Sequence, residues 1–127
     1  MAYLATSINE SPTIVEKAGA AIADVRGKAV KYADGAVVLA GAGELAIGVG
    51  ILTNDEATEQ GADVDIQIKD IGHVLAGGKI AKGAELASDK DGKFVTAAEG
   101  NYVVAIALED AVDAGVYIKA RLVSYKK

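Results

Sequence analysis

The sequence predicts an all-β domain, a small barrel or sandwich built from a duplicated hairpin-containing unit with an extended N-terminal arm. Three observations carry this. Short apolar runs recur between glycine-framed turns with nothing long enough to read as a helix. The stretch from Gly27 to Ile68 is written a second time from Gly83 to Leu122, and Gly35 and Gly43 stand as far apart as Gly92 and Gly100. Fifteen glycines against one proline supply the tight turns such a fold needs.

A chain of 127 residues is the size of one domain and can bury roughly two thirds of its unfolded surface. Of its residues 51% are hydrophobic and only 5% aromatic, with no Trp, so the core must be made of small and β-branched side chains suited to close-packed sheets. The net charge of −5 and the absence of any basic run longer than two argue against a nucleic-acid partner. Without cysteine there is no disulfide, thiolate ligand or thiol nucleophile. The longest uncharged central run, Leu45 to Asn54, is too short to cross a membrane as a helix, and no signal peptide is apparent at Met1-Ala-Tyr-Leu-Ala-Thr. A soluble protein made in the cytosol is expected.

In chain order, residues 1–18 are assigned to the arm and 19–127 to a single β domain containing the repeat, about 27–68 and 83–122. The arm is polar and turn-forming, carries Pro12, and has no evident counterpart in the second half. Its apolar residues Tyr3, Leu4, Ile8 and Ile14 are the candidate partner-binding residues, as alternate anchors of an added strand. Ala29–Tyr32 and Ala36–Leu39 flank Asp34-Gly35, a strong hairpin signal, and Asp89-Lys-Asp-Gly92 repeats it one residue longer. Ala46–Leu52 and Val103–Leu108 read as buried strands. The acidic connectors after them, Asn54–Gln60 and Glu109–Ala114, are expected to form one helical turn each. Val64, Ile66 and Ile68, and in the second copy Ile118, Ala120 and Leu122, alternate with polar residues and should face a core. Ile71–Leu75 is a further strand. An internal pseudo-twofold relation is expected.

The chain holds no evident catalytic site, cofactor site or metal site. His73 stands alone among apolar neighbours, and general-base or metal chemistry needs convergent partners. Asp89-Lys-Asp91-Gly92 begins like a calcium loop, but Lys93, Val95 and Gly100 stand where oxygen ligands are required. Gly41-Ala-Gly43 and Gly48-Val-Gly50 lack the rest of a phosphate-cradling motif. Lys90 at a hairpin tip is similar in placement to the modified lysine of lipoyl-type carriers, without the hydrophobic neighbour usual there. Asp55-Glu56 and Glu109-Asp110 occupy matching connectors and read as solvated loops. No enzyme is expected.

The pattern itself is informative. Arg26-Gly-Lys-Ala-Val-Lys-Tyr-Ala-Asp-Gly35, Glu44-Leu-Ala-Ile-Gly-Val-Gly-Ile-Leu52 and Gly61-Ala-Asp-Val-Asp-Ile-Gln-Ile68, echoed by Lys82-Gly-Ala-Glu-Leu86, Val104-Ala-Ile-Ala-Leu108 and Gly115-Val-Tyr-Ile118, resemble the capsid decoration proteins of tailed bacteriophages, also called cement or head-stabilising proteins. The resemblance covers about residues 19–123. It implies a structural role stabilising a phage head from its outer surface, bound to the major capsid protein, as a homotrimer in the virion, assembled in the host cytoplasm and without enzyme activity or cofactor. A β-rich adhesion or carbohydrate-binding module on a virion surface is the alternative, set back by the lack of Trp for sugar stacking.

Overall fold

The computed structural model describes residues 11–127, and among them there are ten strands and no helix. These are β1 (Thr13–Lys17), β2 (Ala29–Ala33), β3 (Ala36–Leu39), β4 (Gly48–Gly50), β5 (Asp63–Gln67), β6 (Ile71–Leu75), β7 (Glu85–Ser88), β8 (Phe94–Thr96), β9 (Tyr102–Ala107) and β10 (Tyr117–Lys126). They form two five-stranded antiparallel sheets that pack together, sandwich-like and not closed as a barrel, in the orders β1-β5-β4-β2-β3 and β6-β10-β9-β7-β8. Strand for strand, the second order is the first repeated. An isolated parallel bridge from Ala18 to Val37 curls the first sheet, and Ala76 to Phe94 curls the second.

The duplication is longer than its sequence signature. Thr13–Lys17, expected in the arm, is the edge strand β1, and its structural counterpart is β6: Ile14 faces Ile66 on β5 as Gly72 faces Ala120 on β10. The likeness begins at Pro12, whose carbonyl accepts from Ile68 N–H (2.8 Å) just as that of Asp70 accepts from Leu122 N–H (2.8 Å). Pro12, which has no N–H to donate, opens the pairing with β5 through its carbonyl alone. Ala18-Gly19 and Ala76-Gly77 repeat the turn that follows, each glycine N–H donating 2.7 Å to the carbonyl of Val37 or Phe94. The acidic connectors form turns and bends, not helical turns. Each is fastened by a bridge, Ile22 to Thr58 and Ile80 to Ala111, which bonds the connector across to an earlier loop.

Valine and alanine fill the interior, as an aromatic-poor composition requires. Val25, Val30, Val37, Val64 and Ile66 form one cluster within the first unit. A larger one surrounds Leu86, Phe94 and Ile118 in the second and takes in Ala29, Ala40 and Val49 from the first. Val64 and Ile66 face inward as the alternation predicts, whereas Ile68 lies beyond the strand and is 38% exposed. On β10 a bulge sets Val123 and Ser124 opposite the step between Val103 and Ala105, shifting the alternation; Val103 accordingly joins a third cluster with Ala87 and Ala97.

The halves are joined through main-chain groups. Ala29 N–H donates to the Gly92 carbonyl (2.7 Å), Gly43 N–H to that of Ser88 (2.9 Å), Leu75 N–H to that of Gly27 (2.7 Å) and Tyr102 N–H to that of Gly43 (3.0 Å). The join is not reciprocal. A Cβ on Gly92 would come within 3.0 Å of the Ala29 carbonyl, while its counterpart Gly35 has nothing within 4 Å; Gly27 lies against Tyr117 and Leu75, while its counterpart Gly83 is open.

Candidate interaction surface

Of the four residues singled out in the arm, Tyr3, Leu4 and Ile8 lie outside the described residues. Ile14 sits on β1, half-buried and packed against the first core cluster with Leu39 and Ile47. Its side chain supports the sheet that carries the arm.

The polar candidates disperse over the surface. His73 is exposed on β6 opposite Lys119, at the position Val15 holds on β1 opposite Asp65. Lys90 is exposed at the β7–β8 turn, where Asp89 Oδ1 accepts from the N–H groups of Asp91 (2.8 Å) and Lys93 (3.0 Å) and so shapes the loop. Among the described residues no three His, Asp or Glu side chains converge as a metal site would require.

Acidic side chains are instead used as local braces. Asp24 takes two bonds from Arg26, through Nε and Nη2 at 3.0 Å each, and that guanidinium holds its carboxyl below the usual range. Lys31 Nζ reaches Glu44 at 2.8 Å, and Glu44 also accepts from Gly41 N–H at 2.6 Å; the lysine first, then the amide, lower its pKa. Asn101 makes the same loop bond in the second unit, accepting from Ala98 N–H at 2.9 Å. Tyr32 donates its hydroxyl to Glu16, and Tyr125 donates to Glu85 at 2.6 Å. Both phenols are pushed up by the carboxylate they serve. With their hydroxyls engaged, these tyrosines tie strands that do not pair directly, Tyr32 linking β2 to β1 and Tyr125 linking β10 to β7.

Large apolar side chains are exposed as well. Val15 and Ile71 are each 58% exposed, and Val112 stands 81% exposed beside a groove of about 550 Å³ floored by Ile80, Ala81 and Ala111. A smaller cleft of about 180 Å³ lies between the sheets where Ile47 and Ile68 of one unit approach Val104 and Leu122 of the other. Sequence reading missed the exposed apolar positions because each sits in an alternating or turn pattern that equally suits a core residue. This arrangement suits a protein that binds through shape and apolar contact over a broad β surface.

No curated protein sequence matches the chain. A crystal structure of the N base of the head fiber of bacteriophage phi29 shares its fold, with a TM-score of 0.67 at 20% identity over 91% of this chain and 96% of that one. The sequence model described as phage cement protein matches residues 13–122, from the first residue of β1 into the middle of β10. A match spanning both duplicated units is a match to the whole described fold, and this chain therefore belongs to the phage cement protein family.

Proposed function

We propose that this protein is a structural decoration protein of a phage head, bound to the major capsid protein on the outer capsid surface, where it stabilises the shell without enzymatic chemistry. The observation that carries the reading is the extent of the family match, residues 13–122, which takes in both β units and leaves residues 1–12 outside it. A net charge of −5 suits a protein facing away from packaged nucleic acid. A homotrimer would bring three copies of each contact to the shell at once, and such multivalency turns modest apolar contacts into firm attachment. In this reading Tyr3, Leu4 and Ile8 anchor the arm to neighbouring capsid subunits, and Ile14 ties the arm to the body through β1. Virion assembly in the host cytoplasm follows from the same role.

The test is addition of the purified protein to undecorated, expanded phage heads, followed by co-sedimentation and heating. Saturable uptake with greater heat resistance of the heads is expected. Heads that take up none of it, and survive heating equally well without it, would reject the proposal.

A further inference from the structure

Each unit builds the same receiving rim. In the first it is the glycine turn at Gly27 with the loop Ala40–Gly43; in the second it is Gly83 with Ala97–Gly100. The first rim holds the second unit: Gly43 N–H donates to the Ser88 carbonyl (2.9 Å), and the Ser88 hydroxyl sits between the carbonyls of Asp89 (2.9 Å) and Ala40 (3.3 Å). On the second rim the equivalent groups are also filled, but by the residue that follows β10. Gly100 N–H donates to the Lys127 carbonyl (3.1 Å), and Lys127 Nζ donates to the Ala97 carbonyl (3.4 Å). Lys127 thus does on the second rim what Ser88 does on the first. Glu85 holds it there, accepting from the Tyr125 hydroxyl at 2.6 Å and from Lys127 Nζ at 3.2 Å. The first unit has no such segment, because β5 stops at Gln67.

We propose that residues 124–127 are an intramolecular cap that closes the second unit's rim to a second copy of this chain. The copy would enter by its first unit, which carries the surface already seen seated on the first rim. Tyr32 stands there at the position of Ser88, Gly35 at that of Gly92 and Leu45 at that of Tyr102. Tyr32 and Leu45 are 47% and 48% exposed, and Gly35 has open space around it. The backbone bonds between the units are main-chain, so the copied surface keeps their donors and acceptors whatever its side chains. One difference weakens the fit: the Lys17–Asp63 ion pair (2.6 Å) replaces the Leu75 and Tyr117 that cover Gly27. A contact between unlike faces repeats from copy to copy unless something ends it, and the cap supplies that end.

The cap is tested on the free protein, so the outcome does not depend on capsid binding. The chain truncated after Val123 and the full chain are compared by sedimentation over a concentration series, each with and without Leu45→Asp. The truncated chain should form concentration-dependent assemblies beyond those of the full chain. Leu45→Asp should remove them and leave the mass of the full chain unchanged. Truncated protein with a strand spectrum and the full chain's mass at every concentration overturns the proposal, as does assembly that survives Leu45→Asp or a full chain whose mass that substitution alters. Should truncation unfold the chain, Glu85→Ala with Tyr125→Phe loosens the latch and keeps every backbone bond. Faster hydrogen exchange at the Gly100 amide and the same assemblies are then expected, and unchanged exchange with unchanged mass refutes the cap.

Discussion

Gly27 lies beneath the ring of Tyr117, so close that a Cβ on it would stand 2.6 Å from the ring's Cε1 and 3.0 Å from the amide nitrogen of Leu75. Its φ is 71°, and Gly83 takes a φ of 88° at the matching place in the second unit with nothing near it. A left-handed backbone costs a residue other than glycine about 1–3 kcal/mol. Gly83→Ala should therefore show the backbone cost alone, and Gly27→Ala that cost plus the loss of Tyr117 cover and of the Leu75 bond. Urea unfolding of the two variants measures the difference. Equal losses would mean that the Gly27–Tyr117 contact contributes nothing to the join.

Ile66 is fully buried between β1 and β4, whereas Leu108 lies just past β9 and is half-buried. Ile66→Asp places an unpaired charge in the first core cluster and should cost several kcal/mol. Leu108→Asp should cost distinctly less, since its side chain can turn the carboxylate to water. Thermal melting of both checks the order, and a larger loss at Leu108 would contradict the assigned faces.

Glu85 binds Tyr125 and Lys127 in its charged form, and its pKa is lowered by the tyrosine hydroxyl first and the lysine second. The stability it contributes is therefore present above the ordinary glutamate range of about 4 and is lost as the pH falls through the depressed folded value. Tyr125 works in the opposite sense. Its pKa is raised, mainly by the bond to Glu85, so its contribution is present below the ordinary tyrosine value of about 10 and is lost as the pH rises through the folded one. The protection factor of the Gly100 amide, its exchange rate divided out of the intrinsic rate at each pH, should accordingly be greatest between these limits and fall at either side. Glu85→Gln should flatten the acid limb, and a profile identical to that of the unsubstituted protein would rule out the latch.

Removal of residues 1–10 leaves every described strand in place, and removal of 1–17 deletes β1 with the Ile14–Ile66 pair. The shorter deletion should barely move the melting temperature while weakening uptake by undecorated heads. The longer one should lower the melting temperature markedly. Full uptake by the shorter variant would take the arm out of the proposed capsid contact.

The parts of this fold that were legible in the sequence are those where only one residue type can serve. Asp34 and Gly35, with φ of 51° and 80°, form a turn with both central residues left-handed, so that dipeptide announces a hairpin. The duplication of β1 as β6 was hidden because Thr13–Lys17 and Ile71–Leu75 agree at no position; each has one neighbour in its own sheet, and many side chains satisfy it. Only the following Ala-Gly betrays it. The bulge at Val123-Ser124 carries no glycine or proline signal. Least legible was the rim, since the Gly43–Ser88 and Gly100–Lys127 bonds join main-chain groups that every residue possesses.

The strand order places the first and last strands of each unit side by side, β1 against β5 and β6 against β10. A growing chain therefore cannot complete the ladder of a unit until that unit's final strand has been made, which is the slow kind of closure. During synthesis the first sheet can close once Gln67 is available, while the hairpin at Gly92 that receives the Ala29 N–H has yet to be translated. The first unit's ladder can thus be complete while its rim is vacant and Ala29, Ala40 and Val49 still lack the core they share with the second unit, so that translation itself orders the two closures.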